Sequence, residues 1–444
     1  MAAPTIAPPT EPVARSHWID DWRPEDPGFW AAGGARIARR NLIFSILSEH
    51  IGFSIWTMWS VLVLFLPAGA YGLTLDDKFL LTAVPAFVGS FLRLPYTFAV
   101  AKFGGRNWTI VSAGLLLVPS VLTAILLRPG LSFPALLVLA ALAGVGGGNF
   151  SSSMANINAF YPNRLKGMAL GLNAAGGNLG VALVQIVGLI VLAAAGGVAA
   201  SVEPRLVPGV YLPLIVIVTA LSATRMDNLT HATNDKRAMR DVVKNPHTWI
   251  MSLLYIGTFG SFIGFSFAFG QVLTTQFQTA TPLDALRVIF LGPLLGSIAR
   301  PAGGWLADRF GGARITLWTF VGMALFAALV LGASRWESLP LFYVGFLALF
   351  ILSGLGNGST YKMIPAIFRA TEADPNEARR LSSALVGIAG AIGAFGGALV
   401  QIVFRQSFLG YHNADAAYVG FIALYVLCFA VTWSVYLRRS RLPV

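Results

Sequence analysis

Gly89-Ser90-Phe91-Leu92-Arg93 and Gly296-Ser297-Ile298-Ala299-Arg300 carry one pattern, Gly-Ser-x-x-Arg, repeated 207 residues apart. The register extends outward. Lys102-Phe103-Gly104-Gly105 matches Arg309-Phe310-Gly311-Gly312 at the same offset. At 208, Gly148-Asn149-Phe150-Ser151-Ser152 matches Gly356-Asn357-Gly358-Ser359-Thr360. Three matches in register mark a duplicated unit.

Each pentapeptide sits inside an apolar run, and such runs fill the chain. Of 444 residues, 56% are hydrophobic and 11% charged, where a soluble domain carries about 25% charged residues. Twelve stretches are long enough to cross a hydrocarbon core of about 30 Å. They lie near 42–66, 80–101, 108–127, 134–160, 168–193, 209–224, 249–273, 284–307, 315–333, 340–365, 382–405 and 416–437. Lipid supplies no partner for an open sheet edge, so the spans are read as helices. The polar interruption 225–247 divides a six-helix unit (41–224) from a second one (248–437), with a lead-in at 1–40 and a tail at 438–444.

The net charge of +12 is topological. Arg36, Arg39, Arg40, the even-to-odd loops and the C-terminal arginines fall on one side of the spans. Lys78, Arg128, Arg205, Arg287, Arg335 and Arg405 fall on the other. This excess follows the positive-inside pattern and predicts a multi-pass protein with both termini cytoplasmic. It gives no ground for a nucleic-acid partner. Cys428 is the one cysteine, which excludes an intrachain disulfide. The first 40 residues lack the apolar core of a cleavable signal peptide and carry Trp18, Trp22, Phe29 and Trp30 as expected aromatic anchors.

Arg93 and Arg300 fall near mid-depth of the second and eighth spans, counting 1.5 Å per residue. A guanidinium there costs roughly 2.5–3.5 kcal/mol on insertion scales, and its pKa above about 12 keeps it charged. Each therefore needs a polar cavity and an anionic or carbonyl partner. One reading is an intramembrane salt bridge, but of the 19 acidic residues only Glu49 lies well inside a span. One carboxylate cannot neutralise two arginines from opposite halves, so the pair is read as gripping a small anion. The planar five-donor fork suits a planar, multi-oxygen monoanion held from two sides.

Glycines crowd the runs 144–148, 171–180 and 387–397, a composition that lets helices approach closely and slide. Asn178 stands within one of them. Its buried amide suits either a substrate contact or an interhelical hydrogen bond.

Parallel six-span repeats are an architecture of major facilitator transporters, and Gly304-Trp305-Leu306-Ala307-Asp308-Arg309-Phe310-Gly311-Gly312 resembles a loop motif of that superfamily. The segment Gly147-Gly148-Asn149-Phe150-Ser151-Ser152-Ser153-Met154-Ala155-Asn156-Ile157-Asn158, with Gly171-Leu172-Asn173 and Asn178-Leu179-Gly180, resembles the signature of the nitrate/nitrite porter family. Trp22-Arg23-Pro24-Glu25-Asp26-Pro27 and the run 259–269 extend the resemblance over nearly the whole chain. It implies a major facilitator fold, all-α, with twelve transmembrane helices in two six-helix repeats. It also implies nitrate and nitrite as the anions, bound by Arg93 and Arg300. The ion would lie between aromatic rings, matched to Phe150 and Phe269, with a family tyrosine replaced by Phe265.

Glu49-His50 in the first span could carry a proton, or Glu49 could pair with a neighbouring basic group. Lys362 is expected to snorkel to the interface. The sequence thus predicts a transporter rather than an enzyme, without cofactor or metal, monomeric in the lipid bilayer of a bacterial inner membrane and serving nitrate assimilation. Nitrate/nitrite antiport is the expected mode. A proton–nitrate symporter using Glu49/His50 and a non-transporting nitrate sensor are the alternatives.

Overall fold

The computed structural model describes residues 14–15, 17–195, 203–231, 236–277 and 281–438. Twelve helices long and apolar enough to cross a membrane run through it. The first six are α1 (Pro27–Phe65), α2 (Leu75–Phe103), α3 (Gly105–Leu126), α4 (Phe133–Phe160), α5 (Asn163–Ala194) and α6 (Leu206–Arg225). The second six are α7 (Pro246–Gln276), α8 (Pro282–Phe310), α9 (Gly312–Arg335), α10 (Leu339–Thr371), α11 (Pro375–Tyr411) and α12 (Asp415–Leu437).

The duplication reaches into the caps and turns. Thr74 opens α2 with a capping box to Asp77, and Thr281 opens α8 with the same box to Asp284, again 207 residues on. Such a box satisfies two of the backbone donors that a helix start leaves unpaired. Gly104 ends α2 at φ +86° and Gly311 ends α8 at φ +93°, a conformation that side chains with a Cβ rarely adopt. The glycine of each pentapeptide marks a close approach. A Cβ on Gly89 would meet Trp56 Nε1 at 2.2 Å, and one on Gly296 would meet Phe262 and the Phe350 carbonyl at 2.8 Å.

Asp26 caps α1, with Pro27 in its first turn. The first helix therefore begins well before residue 40 and carries Arg36, Arg39 and Arg40 on its first turns. The aromatics of the lead-in dock onto the protein. Trp22 packs edge-on against Phe29 and Phe160, and Trp30 against Tyr161. Strand β1 (Ala14–Arg15) pairs antiparallel with β2 (Trp18–Ile19), and β2 pairs parallel with β3 (Asn228–Leu229) just after α6. Asp227 fastens this corner by accepting from Arg40 at 2.6 Å and from Asn41 at 2.8 Å.

The halves meet along α2–α11 and α5–α8, and the two ends of that seam differ. At the end bearing the capping boxes, Phe79 stacks on Phe404 and Phe408. There Thr82 donates to Gln401 at 3.0 Å, and Asp76 forms an ion pair with Arg405. At the end bearing the small sheet the seam gapes into a cavity of about 1500 Å³. Both halves line it, with Thr97, Met154 and Gly167 from one and Gly304, Lys362 and Gly387 from the other. Lys362 does not snorkel freely. It pairs with Asp308 of α8 at 2.7 Å.

Candidate anion-binding site

Arg300 and Phe150 line the cavity, and Arg93 rests on the Phe150 ring behind it; the two arginines are 0% (Arg93) and 4% (Arg300) exposed. Arg93 Nε donates to the Gly147 carbonyl of α4 at 3.2 Å, and Nη1 to the Gly390 carbonyl of α11 at 2.8 Å. Arg300 Nη2 donates to the Tyr255 hydroxyl at 3.1 Å. Arg93 Nη2 and Arg300 Nη1 remain without a protein acceptor. Among the described residues, neither arginine forms an ion pair.

Aromatic faces take the place of counterions. The Arg93 guanidinium carbon lies 4.5 Å from the Phe150 centroid and 4.9 Å from that of Phe259. Arg300 lies 5.8 and 5.9 Å from the same two rings. Trp56 covers Arg93 at 5.3 Å, and Tyr361 covers Arg300 at 5.3 Å. A ring face attracts a cation through its quadrupole but leaves the N–H edges free for hydrogen bonding. Trp56 is itself fixed by its indole N–H, which donates to the Pro85 carbonyl at 2.7 Å.

The ring facing Phe150 is Phe259, not Phe269. Phe269 stacks on Phe346 at 4.3 Å and touches Phe342 and Phe350. Phe265 packs on Phe346, Phe350 and Phe421. Both belong to an aromatic cluster inside the second half. Ten residues of helix separate Phe259 from Phe269, about 15 Å along the axis, so both cannot face one small ion at mid-depth. The same shift of ten turns Phe265 into Tyr255, so the site keeps a tyrosine hydroxyl. The backbone, not the sequence, marks this stretch: Ile256–Gly260, between Tyr255 and Ser261, is a π-helical turn, a distortion frequent at functional sites.

Asn178 is fully buried, and both of its amide heteroatoms lack a protein partner, so it is not engaged in an interhelical bond. Glu49 is fully buried and, among the described residues, forms no ion pair. Its Oε2 accepts from Ser153 Oγ at 2.5 Å and from Asn173 Nδ2 at 2.7 Å. His50 turns away from that carboxyl. Its Nδ1 lies 3.1 Å from the Gly176 carbonyl, which can only accept, so Nδ1 carries the hydrogen.

Residues 51–398 match the Major Facilitator Superfamily. The chain is 37% identical over 452 residues to the nitrate/nitrite transporter NarU of Escherichia coli (strain K12), covering 95% of this chain and 96% of that one. It is 35% identical over 450 residues to the probable nitrate/nitrite antiporter NarK2 of Thermus thermophilus, covering 96% and 98%. A solved D-xylose–proton symporter superposes with a TM-score of 0.67 at 16% identity, over 89% of this chain and 97% of that one. That likeness speaks for the fold.

Proposed function

The chain belongs to the nitrate/nitrite porter family of the Major Facilitator Superfamily, and on that premise we propose that it exchanges nitrate for nitrite by alternating access. The observation that carries this reading is the pair of arginines, one from each half, sharing Phe150 and Phe259 with no carboxylate between them. Each guanidinium brings one unpartnered NH2 edge to the site, and a charge-assisted hydrogen bond contributes about 1.5–3 kcal/mol. The Tyr255 hydroxyl on Arg300 adds a polar contact, and the buried, unpartnered amide of Asn178 is free for another. Flat rings above and below suit a thin, weakly hydrated anion and leave little room for tetrahedral sulfate or phosphate.

Exchange follows from electrostatics. Both guanidinium carbons lie within 6 Å of the Phe150 centroid, so they are no more than about 10 Å apart. At an effective dielectric near 20 their repulsion is at least about 1.5 kcal/mol. Drawing the halves together around an empty site works against that repulsion, while a bound monoanion offsets it. Occupied carriers turn over and empty ones resist.

The positive-inside bias assigns the open end of the cavity, beside the small sheet, to the cytoplasm of a bacterial inner membrane. One chain contains the whole pathway, so a monomer suffices. The test is counterflow. Proteoliposomes loaded with nitrite should take up labelled nitrate without a pH gradient, and empty ones should take up little. Nitrate binding without flux would make the protein a sensor, and equal uptake by empty vesicles would remove exchange.

A further inference from the structure

The Gly-Ser-x-x-Arg spacing of α2 brings an aromatic ring from another helix under its arginine. Side chains on a helix lean back toward its start, so each lies over the position four residues before it. Arg93 thus leans over Gly89, and the space that Gly89 leaves is filled by Trp56 of α1. A Cβ on Gly89 would meet the indole Cε2 at 2.7 Å, and a Cβ on Gly147 of α4 would meet the same atom at 2.8 Å. The fully buried indole is seated in a slot that two glycines keep open.

Contacts from three helices fix the ring in that slot. Its N–H donates to the carbonyl of Pro85, one turn before Gly89 on α2. Phe53 of α1 packs edge-on against it at 5.3 Å and reaches Phe150 at 6.1 Å. Phe267 of α7, in the second half, meets it edge-on at 6.0 Å. The Arg93 guanidinium lies 5.3 Å from this immobilised ring. Gly147, which shapes the slot, also gives its carbonyl to Arg93 Nε, so the seat of the tryptophan and the seat of the arginine share a residue.

The restraints on Arg93 divide between the halves. Gly390, whose carbonyl accepts from Nη1, belongs to α11 and shifts relative to Arg93 when the halves rock. Trp56, Gly147 and Phe150 belong to the first half and move with it. The second half is built differently at the matching place. Gly296 admits Phe262, which a Cβ there would meet at 2.8 Å, but that ring has no N–H to anchor it and lies on Phe259 at 6.3 Å. Arg300 is held by the Tyr255 hydroxyl and covered by the Tyr361 face. A hydroxyl turns about its C–O bond, whereas a helix carbonyl stays where the backbone puts it.

Resting on the nitrate/nitrite reading, we propose that Trp56 is a positioning residue of the anion site: its anchored indole holds the plane of the Arg93 guanidinium, so that the unpartnered Nη2 meets the anion already aligned. A long arginine side chain has much rotamer freedom to lose, and a fork set in advance spares that loss at the moment of binding. Arg93 is then the fixed jaw of the grip. Arg300, with one rotatable hydroxyl as its partner, is the adjustable jaw that closes on nitrate or on the smaller nitrite. Gly89 serves the arginine through the tryptophan it admits.

The test is a double-mutant cycle on nitrate Kd, measured by calorimetry on the purified full-length chain in detergent at constant ionic strength, with thermal unfolding recorded on the same samples. Trp56→Leu removes the ring and should raise the Kd at least about fivefold. Trp56→Phe keeps a ring face without the N–H anchor and should fall between Trp56→Leu and the parent; it carries the cycle if Trp56→Leu does not fold. The factor should persist in full when Arg300→Lys is already present. With Arg93→Lys present it should shrink below about twofold, because the side chain that Trp56 positions is gone. A tryptophan with a merely structural role would lower the unfolding temperature and change the Kd by one factor in both arginine backgrounds. That equal factor overturns the proposal, as does a Kd within about twofold of the parent in both Trp56 variants. Failure of the parent chain to bind nitrate sinks the substrate reading, and this proposal with it.

Discussion

Phe150 of the first half and Phe259 of the second lie with ring centroids 6.1 Å apart and planes 27° from parallel, and both arginines rest on both rings. Neither half contains a complete site. Closing or opening the seam therefore changes the distance between the two rings and the two charges together, which is how one anion can report its presence to both halves.

The rings should be separable by mutation. Phe259→Leu removes a face that carries two guanidiniums and should raise the KM for nitrate at least about fivefold, equivalent to about 1 kcal/mol of ring–cation and ring–anion contact. Phe269→Leu alters a stack inside the second half and should lower thermal stability while leaving KM within about twofold. Uptake kinetics on matched amounts of folded protein decide this. The reverse ranking would return the site to the far end of α7.

Lysine should not replace either arginine. Arg93 spans the Gly147 and Gly390 carbonyls with two different nitrogens and keeps a third for the site. An ammonium is a compact point charge that cannot hold that geometry. Arg93→Lys and Arg300→Lys should each reduce nitrate uptake more than about tenfold, or 1.4 kcal/mol, with the protein still folded. Near-normal uptake by either variant would remove that arginine from the site.

What the sequence exposed and what it hid have physical causes. The spans are local features, and the duplicated Gly-Ser-x-x-Arg pattern fixes the pairing of the halves without any knowledge of contacts. The arginines stood out because a buried charge is expensive wherever it faces. Phenylalanine carries no such cost. With 31 of them in the chain, only depth along α7 distinguishes Phe259 from Phe269, and depth depends on where Asn245 caps the helix at Pro246. The partners of Glu49 were hidden for another reason. Ser153 and Asn173 are uncharged and come from two other helices, so no charge pattern along the chain announces them. The expected basic neighbour was a guess from charge alone, and the pocket answers the carboxyl with neutral donors instead.

Glycines within one helix should differ sharply. On α5, a Cβ at Gly180 would meet the His50 carbonyl at 2.0 Å, while at Gly171 nothing lies within 4 Å. Backbone cannot yield as a flexible side chain can, so Gly180→Ala should cost about 1–3 kcal/mol and separate α1 from α5. Gly171→Ala should be neutral or stabilising by up to about 1 kcal/mol, because alanine loses less freedom in a helix. Thermal unfolding in a fixed detergent measures both. Equal effects would mean that the α1–α5 contact is looser than its geometry.

The ion pair of Asp76 with Arg405 joins the halves only at the closed end of the seam. Its side chains are 24% and 23% exposed, so solvent screening limits the contribution to about 1 kcal/mol or less. That still corresponds to a shift of up to about fivefold between states open on opposite sides. Asp76→Asn should therefore raise the population open at that end without touching the arginines or the rings. Distances between spin labels on α2 and α11 near this end should show a larger long-distance fraction in Asp76→Asn. The exchanged pair Asp76→Arg with Arg405→Asp should bring it back. An unchanged distribution in Asp76→Asn would mean that the stack of Phe79 on Phe404 and Phe408, with the Thr82–Gln401 hydrogen bond, holds this end shut by itself.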